Sequence, residues 1–241
     1  MNEFDIAKPH EYDHNHSSSA GSSWLRASVF GAMDGLVSNI GLISGIAAAG
    51  AAPSIVAITG VSGLISGAIS MALGEYTSVR TQNEQMQAEV ETERNALVRN
   101  PVGEEAELAQ MFESLGMQPD TAQEAASQVH TNNDQALKVH LAHELGLSPD
   151  EQPSPWVAAF SSFLAFGIGA VIPVLPYLLG FGTLWWGLLF GAVGLLAAGF
   201  TAAKFTDRNP FAGAGRQLVF GGFAVAATYG IGRLLGVSTL G

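Results

Sequence analysis

Five apolar runs, each long enough to cross a lipid bilayer, constrain this chain more than any other feature. They lie at roughly 27 to 50, 54 to 76, 156 to 180, 183 to 203 and 215 to 236. A hydrocarbon core about 30 Å thick needs roughly 20 apolar residues in a helix, so each run predicts one membrane-spanning helix. The intervening sequence is polar, and it is polar in one place above all. Of the 21 acidic residues, 14 fall between Glu84 and Glu151, in the gap between the second and third runs.

The expected fold is therefore an all-α membrane protein: five transmembrane helices with a helical domain inserted between helices 2 and 3. Residues 1–23 form a polar tail, 24–79 the first two spans, 80–152 the insert and 153–241 the last three spans. The tail holds His10, His14 and His16 but lacks the apolar core of a cleavable signal peptide, so it is expected to be retained and disordered. A formal charge of −11, concentrated in the insert, argues against a nucleic-acid partner. The absence of cysteine excludes thiolate metal sites and disulfides.

Basic residues orient the spans. Lys8, Arg26, Arg80, Arg94, Arg99, Lys138, Lys204, Arg208 and Arg216 fall on one side of a five-span arrangement or at its edge, and Arg233 alone lies toward the other. Cytoplasmic loops are enriched in Lys and Arg, so the N-terminus and the 80–152 insert are expected in the cytoplasm. The stretch TDRNPFAGAG reads either as a loop between the last two spans or as a re-entrant break.

Within the spans, two acids stand out. Asp34 lies in VFGAMDGLVSNIGLISGIAAAG, and Glu75 lies one helical turn after Met71 in ITGVSGLISGAISMALGEY. A charge at membrane depth costs roughly 2.5 to 3.5 kcal/mol on insertion scales, so such acids point to an ion pathway. Met71 and Glu75 share a helix face, with Ser66, Ser70 and Ser78 on or near it. A carboxylate, a thioether and hydroxyls on one stripe suit a divalent transition metal better than Mg²⁺ or Ca²⁺. Gly31 and Gly35, Gly41 and Gly45, Gly63 and Gly67, and Gly187 and Gly191 stand at small-xxx-small spacing, which fits either packing within one subunit or a dimer interface. Pro173 and Pro176 predict a kink or early end in the third span.

In the insert, the second span's helix should run on to just before Pro101. Three more helices should follow, from about Val102 to Leu115, from Asp120 (where DTAQ resembles a capping box), and from Asn133 or Asp134 to Gly146. Glu89 and Glu93 are four apart on the first, Glu104, Glu107 and Met111 lie on one face of the second, and His140 and Glu144 are four apart on the last. These residues suit Fe²⁺, Mn²⁺ or Zn²⁺ if the helices face one another; otherwise they form a solvated acidic surface. Within the 80–152 insert no Glu is followed by His three positions on, which disfavours a di-iron oxidase centre there. There is no G-x-x-x-x-G-K-[ST] loop for ATP, so transport would draw on ion gradients.

In order and spacing, RASVFGAMDGLVSNIGLISGIAAAG, SGAISMALGEYTSV, NPVGEEAEL and ATYGIGRLLG resemble the vacuolar iron transporter family, with a bacterial cast. The resemblance implies a homodimer, not an enzyme, that exports Fe²⁺ and often Mn²⁺ from the cytosol in exchange for protons. The membrane would be the cell membrane in a bacterium and the vacuolar membrane in a eukaryote. No tightly bound cofactor is implied; Fe²⁺ or Mn²⁺ is substrate, with Zn²⁺ or Co²⁺ as further candidates. By position, Asp34 and Met71 match the family's pathway residues, and Glu75 is the acid of span two. Glu93, Glu104, Glu107 and Glu144 match the insert's glutamates, and His140 and Leu141 stand where a methionine pair is expected. Ala27, Gly63 and Ala96 occupy three positions where acids are expected. Glu89 and Met111 are additional candidate ligands. Two rival readings are a membrane-anchored metal buffer or sensor, and a transporter of another solute on the same scaffold.

Overall fold

A computed structural model describes residues 19–144, 152–206 and 208–239, with side chains described over 24–143, 152–206 and 208–236. Eight helices follow in chain order: α1 (Ser19–Ala48), α2 (Pro53–Arg99), α3 (Pro101–Ser114), α4 (Pro119–His130), α5 (Asn133–Glu144), α6 (Pro155–Leu178), α7 (Leu184–Phe205) and α8 (Pro210–Thr239). Five of them, α1, α2, α6, α7 and α8, are long and apolar enough to cross a membrane. The chain is an integral membrane protein. The expectations for residues 1–18 and for a helix stop at Gly146 fall outside the described residues.

Local chemistry explains the boundaries. Proline, which has no N–H to leave unsatisfied and a φ already suited to a helix, opens α2, α3, α4 and α6. The Asn100 side-chain oxygen accepts from the Gly103 N–H at 3.3 Å, and Asn132 Oδ1 accepts from the N–H groups of Asp134 and Gln135 at 3.0 and 3.2 Å. The capping box expected at Asp120 does not form. Pro119 starts that helix one residue earlier, and Asp120 sits in its first turn, where its charge complements the helix dipole instead. Gly50 and Gly116 turn the chain after α1 and α3 at φ of 90° and 98°, a left-handed conformation that glycine adopts without steric cost.

α6 is the axis of the membrane bundle, packed most extensively against α1 and α2. Small residues allow it. A Cβ on Gly31 would come within 2.9 Å of the Ser162 carbonyl oxygen, and one on Gly35 would strike that of Phe166. A Cβ on Gly45 would lie 3.1 Å from the Thr228 carbonyl oxygen of α8, and Gly41 leaves room for ordinary contact with the Thr228 side chain. Small-xxx-small spacing in α1 thus serves packing within one chain, where close backbone approach gains van der Waals contact that lipid cannot supply. Of the kink or early end expected in span three, the early end is not found. α6 continues through Pro173 and Pro176 to Leu178, both prolines buried among neighbouring helices. α7 ends at Phe205 and α8 starts at Pro210, so TDRNPFAGAG divides into the short connection and the start of α8.

α2 is one helix of 47 residues. At 1.5 Å per residue it is about 70 Å long, more than twice the hydrocarbon core. Its first half lies in the bundle, burying Val56, Gly60, Ala68, Glu75 and Val79. Its second half projects and carries the insert. Leu97 packs with Ala136, Leu137 and Leu141 of α5, while Leu108, Ala109 and Phe112 of α3 pack with Ala122 and Ala126 of α4.

Candidate functional site

Two constellations of polar side chains lie along α2, one in each half. The first is a cleft of about 240 Å³ among α1, α2 and α6, lined by residues that include Asp34, Ser38, Asn39, Gly67, Ser70 and Met71. Helical spacing does the positioning. Asp34 and Ser38 are one turn apart on α1, where Ser38 Oγ donates to the Asp34 backbone carbonyl at 2.6 Å and leaves the carboxylate to the cleft. Ser70 and Met71 face them from α2, and Phe166 of α6 closes the floor against Gly67. A carboxylate, hydroxyls and a thioether lining one cleft form a mixed hard and soft donor set.

Glu75 is not among the residues lining that cleft. It is buried, 8% exposed, at the end of the bundle from which the insert projects, and Arg26 Nη2 of α1 lies 3.4 Å from its Oε2. A buried carboxylate needs such a partner, because removing a charge from water without one is costly. Sequence reasoning had Arg26 only as an orientation marker. Its partner is 49 positions away, beyond any local periodicity.

The second constellation is in the insert. Glu93 of α2, Glu104 of α3 and His140 of α5 each offer one ligand atom, and these atoms all lie within 4.8 Å of one another. His140 is completely buried, with Nδ1 3.2 Å from Glu93 Oε1 and 4.0 Å from Glu104 Oε2. Its other ring nitrogen, Nε2, lies 3.1 Å from His130 Nε2 at the end of α4. Two carboxylates and an imidazole suit Fe²⁺, Mn²⁺ or Zn²⁺. For Nδ1 to offer its lone pair to a cation, the proton must sit on Nε2 and be donated to a neutral His130. Burial and the neighbouring His140 hold His130 below its ordinary value of 6.5, against an opposing pull from Glu105, which favours that neutral form.

The other sequence candidates lie elsewhere. Glu107 is exposed on α3 and Glu89 is exposed on α2, the latter in a shallow groove with Gln82, Gln85 and Met86. Met111 packs against the apolar core between α3 and α4. The Glu144 side chain falls outside the described residues. Sequence reading missed His130 and Asn39. His130 had no signal, since it joins His140 only through the turn between α4 and α5. Asn39 had a weak one, as an amide in an otherwise apolar part of a span.

Comparison with known proteins fits this arrangement along its length. Residues 25–233 match the profile of the VIT family. The chain belongs to the VIT family. Among VIT-family relatives, it is 36% identical to a vacuolar iron transporter of Acanthamoeba castellanii, over 91% of this chain and 82% of that protein. It is 28% identical to vacuolar iron transporter 1 of Oryza sativa subsp. japonica, over 87% of this chain and 84% of the relative. For vacuolar iron transporter 1 of Arabidopsis thaliana the values are 27%, 88% and 86%. The family match includes both constellations, since it runs from just before Arg26 to beyond His140.

Proposed function

We propose that this VIT-family protein is a transporter that moves Fe²⁺, and also Mn²⁺, out of the cytosol in exchange for protons. The observation that carries the reading is the pairing of two metal-suited constellations on one helix. The Glu93, Glu104 and His140 cluster lies on the projecting half of α2, and the Asp34 and Met71 cleft lies on its membrane half. Relatives named as vacuolar iron transporters favour iron as the substrate. In this reading the insert is cytoplasmic, in keeping with the Lys and Arg distribution, and gathers ions on carboxylates that would otherwise repel one another. The ion then enters the cleft, where Asp34 supplies charge and Met71 supplies a soft donor. Protonation of Asp34 from the far side weakens its hold and releases the ion. Glu75, pinned by Arg26, sits at the mouth between the two sites.

Two copies are part of the proposal. The outer face of α2 carries Ile55, Ile58, Ile65, Ile69 and Leu73, all exposed, beside a cleft that one chain leaves open.

Purified protein in proteoliposomes loaded with a pH dye tests the reading. Metal ions moving inward should be matched by protons moving outward, so the lumen should turn alkaline in step with Fe²⁺ or Mn²⁺ uptake. Asp34→Ala should abolish both signals. Metal binding without flux in the wild type would instead identify a membrane-anchored buffer.

A further inference from the structure

We infer that the side-chain oxygen of Asn39 is a cation ligand in the cleft, the position an ion occupies after leaving Asp34. The inference rests on the transport reading above and deepens it. Asn39 is 2% exposed, and its amide orientation is settled by its neighbours. Nδ2 donates to the Gly60 carbonyl of α2 at 3.2 Å and to the Ala170 carbonyl of α6 at 2.6 Å. Flipping the amide would set its oxygen against two carbonyl oxygens, so the oxygen must point the other way. On that side Oδ1 has no hydrogen-bond partner.

A buried acceptor left without a donor is costly, and such groups are rare in folded proteins. This one lies on the wall of the cleft that also holds Asp34, Ser70 and Met71. Gly63 flanks it: a Cβ there would lie 3.0 Å from the Asn39 oxygen and 2.6 Å from a Leu42 methyl. A cation is the partner that this chemistry fits: an amide oxygen stripped of donors, on a cleft that also presents a carboxylate and a thioether.

Position adds to the case. Asn39 is five residues beyond Asp34 on α1, about 7.5 Å further along the helix and away from the insert. A neutral oxygen there holds a divalent ion less tightly than a carboxylate does. Conduction needs that gradient, because an ion bound equally well at every station does not leave. Packing alone accounts for Nδ2, which ties three helices together, and leaves Oδ1 unexplained.

Two variants separate the two halves of the amide. Asn39→Leu removes both. Gly63→Ala leaves the Nδ2 bonds in place, crowds the oxygen and pushes aside the Leu42 methyl, which is the flexible end of a side chain. In proteoliposomes, Mn²⁺ relies on oxygen donors, whereas the softer Cd²⁺ can lean on the Met71 thioether. Each variant should raise the KM for Mn²⁺ about tenfold and shift that for Cd²⁺ by no more than about twofold. A purely structural Asn39 would slow both ions alike in Asn39→Leu and neither in Gly63→Ala, and that pattern would overturn the inference. Should Asn39→Leu fail to fold, an unchanged Mn²⁺ KM in Gly63→Ala overturns it alone. Wild-type protein that carries neither ion would instead refute the transport reading.

Discussion

At the scale of single residues, packing and protonation make separate predictions. Gly35 has no room for a methyl group, since a Cβ there meets the Phe166 carbonyl oxygen and lies 3.0 Å from the Ala170 N–H nitrogen, both rigid backbone of α6. Gly35→Ala should destabilise the protein by about 1 to 3 kcal/mol, the usual range for overpacking, and lower its thermal midpoint in detergent. Gly74 has open space around it, so Gly74→Ala is the control that should leave the midpoint unchanged or higher. His130 carries the pH prediction. Its folded form binds a proton less readily than the ordinary 6.5. Below that value the unfolded chain takes up a proton that the folded chain refuses. The stability contribution is therefore complete above about pH 6.5 and lost as pH falls through the lower folded value. The metal-free full-length protein should lose thermal midpoint as pH falls below about 6.5, and His130→Gln should flatten that loss. Asp34 stood out in the sequence as a charge within an apolar span, and spacing picked out Met71, Glu93, Glu104 and His140, each on a helix with a partner three or four positions away. Spacing could not pick out His130 or Arg26, whose partners lie on other helices.

At the scale of elements, α2 is the decisive one. A single helix of 47 residues joins the bundle to the insert, so the distance between the two constellations is held by continuous backbone hydrogen bonds rather than by a hinge. Gln82 is exposed just beyond the membrane half. Gln82→Pro should break the helix there, at about 3 kcal/mol, without touching either constellation. Mn²⁺ binding to the detergent-solubilised protein should persist while proteoliposome flux falls; equal losses would mean that the helix only supports folding. The run-on of α2 past the membrane was legible, because its helical pattern continues to Asn100 and Pro101 forces a stop. Its continuity through the acidic segment is supported by tertiary packing of Leu97 against α5. α6 taught the opposite lesson. Two prolines predicted a kink or an early end, and the helix passes both without ending, since neighbouring helices in a bundle can compensate for lost backbone bonds.

At the scale of the whole molecule, the proposed division of labour separates capture from passage. Glu93→Gln combined with Glu104→Gln should raise the KM for Mn²⁺ while leaving the maximal rate near that of the wild type, because a high ion concentration bypasses capture. Asp34→Ala should do the reverse and abolish the rate at any concentration. If the insert variants stopped transport even at saturating metal, capture and passage would be one site. Sequence alone determined the five spans, the acidic insert and the identity of most chemistry-bearing side chains. Each of these follows from local quantities: the length of an apolar run, the cost of a charge within it, and the repeat of a helix. Only the tertiary structure decided which of those side chains meet. It brought Glu93, Glu104 and His140 together from three helices, left Glu107 and Glu89 on the surface, set Glu75 against Arg26, and left the Asn39 oxygen without a donor beside Gly63. The physical reason is that a helix fixes which residues share a face, whereas the partner of that face depends on how closely neighbouring backbones approach, and small residues on both helices set that distance jointly.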